Sequence, residues 1–116
     1  MILSDRDIVD ELAKDDGLDI SPVDLETQLQ PSSLDIRIGD EVSEYDTASN
    51  VIFDTKHVDM EKYLRQRPFP QDGLLVGTDD FFLVNTEEDL RIPNYIEAVL
   101  RGRSSFGRLG IEVHST

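Results

Sequence analysis

Three arginines, two serines and three glycines fall within the ten residues from Arg101 to Gly110. No carboxylate occurs anywhere from Ala98 to Ile111, although the chain carries 25 Asp plus Glu against 11 Lys plus Arg. An acidic protein that clears one segment of acids and fills it with Arg, Ser and Gly makes room for an anion. The guanidinium fork matches phosphate oxygens. Serine hydroxyls add donors, and glycines let backbone N–H groups approach closely. The plainer alternative is a turn with ordinary surface arginines; the composition favours the anion site.

The elements that must carry this segment are weakly to clearly patterned. Ser4 is placed to cap a short helix, with Asp5 and Asp7 in a first turn where the helix dipole favours negative charge. Ile8, Val9, Leu12 and Ala13 share one face, and Asp15-Asp16-Gly17 closes the helix. From Ser32 to Gly39, Leu34, Ile36 and Ile38 alternate with Asp35, Arg37 and Gly39, the period of a half-buried strand. That alternation puts Asp35 and Arg37 on one face, within ion-pair reach.

Val51 to Phe53 reads as a short strand. Met60 to Arg67 reads as a helical turn halted by Pro68 and Pro70. Lys62, Arg65 and Arg67 form a second basic patch, read as a solvated loop or intersubunit contact ahead of phosphate binding. The apolar runs Gly73 to Gly77 and Phe81 to Val84, separated by Thr78-Asp79-Asp80, predict a hairpin. Ile92 to Leu100 reads as a turn then a strand leading into the arginine cluster, and Ile111 to Val113 starts another strand. Phe106 and Leu109 are expected to anchor the cluster to the core. The class is mainly β with one N-terminal helix.

At 116 residues and 38% hydrophobic content the chain is expected to be one modest domain. With no cysteine, neither a disulfide framework nor a Cys-based zinc site can form. The two histidines, His57 and His114, lie far apart, which leaves zinc deaminase chemistry poorly supported. No apolar run approaches membrane-spanning length and the Asp-rich start is no signal peptide, so a cytoplasmic protein is expected. A net charge of -14, dispersed along the chain, argues against duplex DNA or RNA as a partner.

Gly102 to Gly110 closely resembles the central motif of dCTP deaminases, members of the trimeric dUTPase superfamily. Met1 to Ile8, Gln30 to Gly39 and Phe82 to Pro93 resemble further segments of that family in the same order, so the resemblance runs the length of the chain. It implies the β-clip, a distorted jelly-roll, with a short N-terminal helix in a single domain over residues 1–116. It also implies a homotrimer with sites at subunit interfaces, binding dCTP or dUTP with Mg2+ held through the triphosphate.

Residue by residue, the match to Ser104 helps position the water that attacks C4 of cytosine. The match to Arg108 orients the site around the base and the catalytic carboxylate. Matches to Arg103 and Ser105 hold phosphate oxygens, and backbone around Phe106 and Gly107 completes the cradle. Asp35 occupies a place similar to the metal-associated aspartate of dUTPases, but a surface or subunit-contact salt bridge is the favoured reading, and no metal ligand is assigned.

Water attack also needs a base for the water and an acid for ammonia. In the family that glutamate follows a stretch like Val113 to Thr116, and it has no counterpart in these 116 residues. The resemblance thus implies a domain truncated at its C-terminus, one that binds better than it catalyses. Glu112 is not placed in that role, and His114 is read as a strand-end residue. The implied activity is deamination of dCTP to dUTP and ammonia, on the route to dUMP and dTTP. The alternatives are a bifunctional enzyme giving dUMP and pyrophosphate, and a non-catalytic nucleotide-binding or oligomerisation module.

Asp outnumbers Glu by 16 to 9 and Arg outnumbers Lys by 8 to 3. A dispersed acidic surface suits a salt-rich cytoplasm, where screening relieves self-repulsion, and a halophilic archaeal source is expected. The thermal unfolding midpoint should therefore rise between low salt and molar KCl; a flat or falling midpoint would remove the halophilic reading.

Overall fold

The computed structural model describes residues 1–45, 54, 56–57 and 59–114. Helix α1, Asp5–Leu12, starts where the sequence places it. The Ser4 hydroxyl accepts a hydrogen bond from the Asp7 amide, and the Asp7 carboxylate accepts one from the Ser4 N–H, a reciprocal capping box. Ile8 is its buried residue. The chain then turns at Gly17, whose N–H donates to the Lys14 carbonyl at 3.2 Å. Gly17 packs so closely on the Glu11 carbonyl that any Cβ there would overlap it.

Strand β1, Asp19–Ser21, pairs antiparallel with β7, Asp89–Arg91. The one-turn helix α2, Leu25–Gln28, is capped by Asp24, whose side chain accepts from the Glu26 amide. It leads into a small hairpin of β2, Leu29–Gln30, and β3, Ser33–Leu34. The main sheet has three antiparallel strands: β4, Ile38–Tyr45, lies between β5, Leu64–Pro68, and β6, Phe82–Thr86. Its register shifts between Ile38 and Val42. Fully buried Val42 sits opposite Arg67 of β5 and Val84 of β6. A 3-10 turn, Met60–Tyr63, precedes β5, and a one-turn helix α3, Ser104–Gly107, closes the series. The class is thus mainly antiparallel β with a short N-terminal helix, as the patterning predicts.

Several local expectations are corrected. The single strand expected over residues 32–39 breaks in two. Between β3 and β4 the Asp35 N–H turns to the Gln28 carbonyl at 2.8 Å, and the Arg37 carbonyl accepts from the Glu87 N–H at 2.9 Å. The helical turn expected over residues 60–67 ends at Tyr63, because the next residues add to the edge of β4. Within the basic patch, Arg67 bonds Glu44 at 2.7 Å and Lys62 pairs with Asp59 at 3.4 Å. Arg67 and Glu44 hold each other charged, the hydrogen bond between them lowering the carboxyl's pKa and raising the guanidinium's.

The hairpin expected between residues 73–77 and 81–84 forms only its second strand, which pairs with β4 beside Val42 instead. A turn does form between the two runs, with Asp79 at φ 69°. Residues 92–100 make the expected turn, the Ile96 N–H donating to the Pro93 carbonyl at 3.0 Å, but neither they nor residues 111–113 form a strand. The strand expected at residues 51–53 lies outside the described residues.

The largest correction concerns the interior. Among the described residues only Ile8, Leu18 and Val42 are buried apolar side chains. The radius of gyration is 17.2 Å, whereas a compact chain of this length has about 13 Å. In place of an oily centre, a buried carboxylate organises the packing. The Glu88 side chain has 0% exposure. Its Oε1 accepts from Arg37 Nε at 2.8 Å and from Gln28 Nε2 at 2.8 Å, and its Oε2 accepts from the Arg37 amide at 3.0 Å. Gln28, also buried, donates to the Asp35 carbonyl at 2.9 Å and accepts from the Asp24 amide at 2.7 Å. No buried side-chain N or O among the described residues lacks a partner. Arg37 therefore pairs with Glu88, and with Glu87 at 3.3 Å, rather than with Asp35 as the alternation predicts.

Burial works to raise the pKa of the Glu88 carboxyl, but the hydrogen bonds from Arg37, its own backbone and Gln28 together outweigh it and hold the group below its ordinary 4.5. A depressed folded-state value means Glu88 contributes stability that is whole above about pH 4.5 and is lost as the pH falls through the folded value. Glu88→Gln should flatten that part of the acid slope in urea unfolding. Glu88→Ala, which strands three donors, should cost about 2–3 kcal/mol at neutral pH.

Candidate functional site

The arginine-serine segment is built as loop, single helical turn, loop. Arg103 is extended at φ -68°, ψ 146°, and its carbonyl accepts from the Phe106 and Gly107 amides at 3.0 and 3.1 Å. The Ser104 carbonyl accepts from the Arg108 amide at 3.0 Å. The amides of Ser104 and Ser105 head the turn, where no preceding carbonyl of the same turn can reach them. The Phe106 carbonyl then accepts from the Leu109 and Ile111 amides at 2.9 and 3.0 Å, so the exit folds back onto the turn. Gly110, at φ +80°, makes that reversal in the left-handed region that side chains disfavour. The two arms meet at Gly102, where a Cβ would lie 3.1 Å from Val113 Cγ2.

All six residues singled out by sequence, Arg103, Ser104, Ser105, Phe106, Gly107 and Arg108, lie together on this exposed feature. The expected anchoring is absent among the described residues: Phe106 is 39% and Leu109 77% exposed. Glu112, the carboxylate nearest in sequence, pairs with His114 at 3.4 Å.

The electrostatics fit an anion. Arg101 and Arg108 make no ion pair among the described residues, in a protein of net charge -14. Arg103 has one, to Asp35 Oδ2 at 3.6 Å, and stays 67% exposed. Sequence reasoning missed this contact, since it joins segments remote in the chain and the alternation assigned Asp35 to Arg37. Glu88 was also missed, because a run of acids such as Glu87-Glu88-Asp89 ordinarily reads as a solvated face.

A groove of about 710 Å3 opens elsewhere, between β4, the end of β6 and residues 69–71. Its wall carries Asp40, Glu41 and Glu87. Three carboxylates make it a poor receptor for a polyphosphate, so the chemistry points to the arginine turn. Among the described residues no group of three or more His, Asp or Glu side chains is arranged to hold a metal ion. No helix there is long and apolar enough to cross a membrane.

Comparison with known proteins adds an independent line. A family model described as dCTP deaminase-like matches residues 2–116. A protein of Persephonella marina named "dCTP deaminase, dUMP-forming" is 35% identical over 115 residues, covering 99% of this chain and 62% of the relative. One of Methanosphaera stadtmanae with the same name is 37% identical over 118 residues, covering 99% and 59%. One of Halorubrum lacusprofundi named "dCTP deaminase" is 38% identical over 119 residues, covering 100% and 58%. The chain thus spans about three fifths of the length of these curated relatives.

Proposed function

The chain belongs to the dCTP deaminase-like family, and on that premise we propose that residues 101–110 form the nucleotide-binding side of a dCTP deaminase site. The reaction is dCTP plus water giving dUTP plus ammonia. One observation carries this reading: three guanidinium groups and two serine hydroxyls gather on one exposed turn, and two of the arginines have no carboxylate partner among the described residues. Arg103 and Ser105 bind phosphate oxygens, through charge-assisted bonds and a hydroxyl donor. The substrate is the Mg2+ complex of the triphosphate, the ion sharing phosphate charge that this acidic protein would otherwise repel.

Ser104 orients the attacking water, and Arg108 orients the base and the catalytic carboxylate. Neither residue moves protons well near neutral pH. The proton carrier is assigned to a glutamate that follows the segment matching Val113 to Thr116 in the family pattern, not to Glu112. The site operates in the cytoplasm at the interface of a homotrimer, where a neighbouring subunit faces the exposed turn.

The names of the Persephonella and Methanosphaera relatives support a second reading. In it the site also cleaves the α–β phosphoanhydride, so that dCTP and two waters give dUMP, ammonia and pyrophosphate.

The test is incubation with dCTP and Mg2+ in molar KCl, with ammonia measured and nucleotides resolved. Ammonia with dUTP supports the first reading; ammonia with dUMP and pyrophosphate supports the second. Stabilisation by dCTP without ammonia is what these residues give when they hold the nucleotide without the proton-carrying glutamate, and it is also what a binding module gives. Arg103→Ala should weaken dCTP binding about tenfold or more, as expected for losing a charged hydrogen-bond donor. Unchanged affinity would refute the phosphate role.

A further inference from the structure

We infer that Asp35 is the positioning residue for the phosphate-binding arginine, tethering one corner of the Arg103 guanidinium so that its other N–H groups face the ligand. The inference rests on the nucleotide-site reading above. The contact is a single one, from Arg103 Nη1 to Asp35 Oδ2 at 3.6 Å, with Arg103 67% and Asp35 27% exposed in their side chains. A bidentate, buried pair would consume the fork. This one leaves most of it open, and a guanidinium has five donors to distribute.

Asp35 is itself held on three sides. Its Oδ2 accepts from Gln30 Nε2 at 3.3 Å. Its amide donates to the Gln28 carbonyl at 2.8 Å, and its carbonyl accepts from Gln28 Nε2 at 2.9 Å. Gln28 Nε2 also donates to the buried Glu88 carboxylate. A continuous line of polar contacts therefore runs from the buried Glu88, through Gln28 and Asp35, to an arginine on an exposed turn. Among the described residues, this is the only ion pair made by the three arginines of the segment. A long, rotamer-rich side chain otherwise loses its freedom only when ligand arrives; a tether that restricts it beforehand lowers that cost.

The sign of the effect makes the idea testable. Asp35 places a negative charge beside the triphosphate subsite, so a carboxylate with no positioning role would oppose binding, and removing it would tighten binding. A tether predicts the reverse. The experiment is calorimetric titration of the full chain with MgdCTP and, separately, with inorganic tripolyphosphate. Both are done in molar KCl, so that long-range charge effects are screened. The proteins are wild type, Asp35→Asn, Arg103→Ala and the double variant, with thermal midpoints recorded for each.

Asp35→Asn should weaken both ligands by the same factor, roughly two- to fivefold as for an exposed ion pair, at an unchanged midpoint. In the Arg103→Ala background it should do nothing further. Tighter or unchanged binding in Asp35→Asn, or equal weakening with and without Arg103, overturns the tether while leaving the nucleotide site intact. Failure of wild type to bind either ligand overturns the nucleotide reading, and the tether with it. If Asp35→Asn does not fold, Gln30→Ala, which releases Asp35 Oδ2, carries the same cycle with the same signs.

Discussion

A carboxylate withdrawn from solvent is the constraint on which the rest of this structure depends. Burying a charge is unfavourable unless it is paired and hydrogen-bonded, and Glu88 meets that demand by recruiting Arg37 and Gln28. To bring the Arg37 amide and side chain to one carboxylate, the chain must leave extended geometry between β3 and β4. To bring Gln28, α2 must end where it does. The break that follows carries Asp35 away from Arg37 and toward the arginine turn. An arrangement that looks like a local ion pair thus decides which residues meet at the candidate site.

The polar interior and the outward apolar side chains are two sides of one economy of surface. Few apolar groups are buried, while Leu75, Phe81, Val99, Leu100, Leu109 and Val113 stand substantially exposed. Hydrogen bonding confers specificity of arrangement more than net stability. The fold is therefore defined most sharply around Glu88 and Val42, and least sharply along residues 92–113, where regular pairing is absent apart from α3.

How much of this was legible depended on how far apart the interacting residues lie. The α1 cap could be read because Ser4 and Asp7 are three residues apart and act on one another. The arginine turn could be read as a candidate because its residues are contiguous in the chain. β4 escaped notice: of its eight residues only Val42 is buried, so no clean alternation marks it. The contacts Glu88–Arg37 and Asp35–Arg103 were invisible because no periodicity encodes a pairing across so much intervening chain. Phe106 and Leu109 misled for a related reason. Hydrophobicity says that a side chain favours cover, not that the same chain supplies it.

The elongated envelope, 50 × 34 × 25 Å, changes how this protein would behave in a sizing column. A radius of gyration of 17.2 Å is what a compact globule of roughly 220 residues would have. A single copy would elute near the position of a globular dimer calibrant. Elution volume therefore conflates shape with stoichiometry here. Subunit number has to come from a method that weighs particles, such as light scattering or native mass spectrometry.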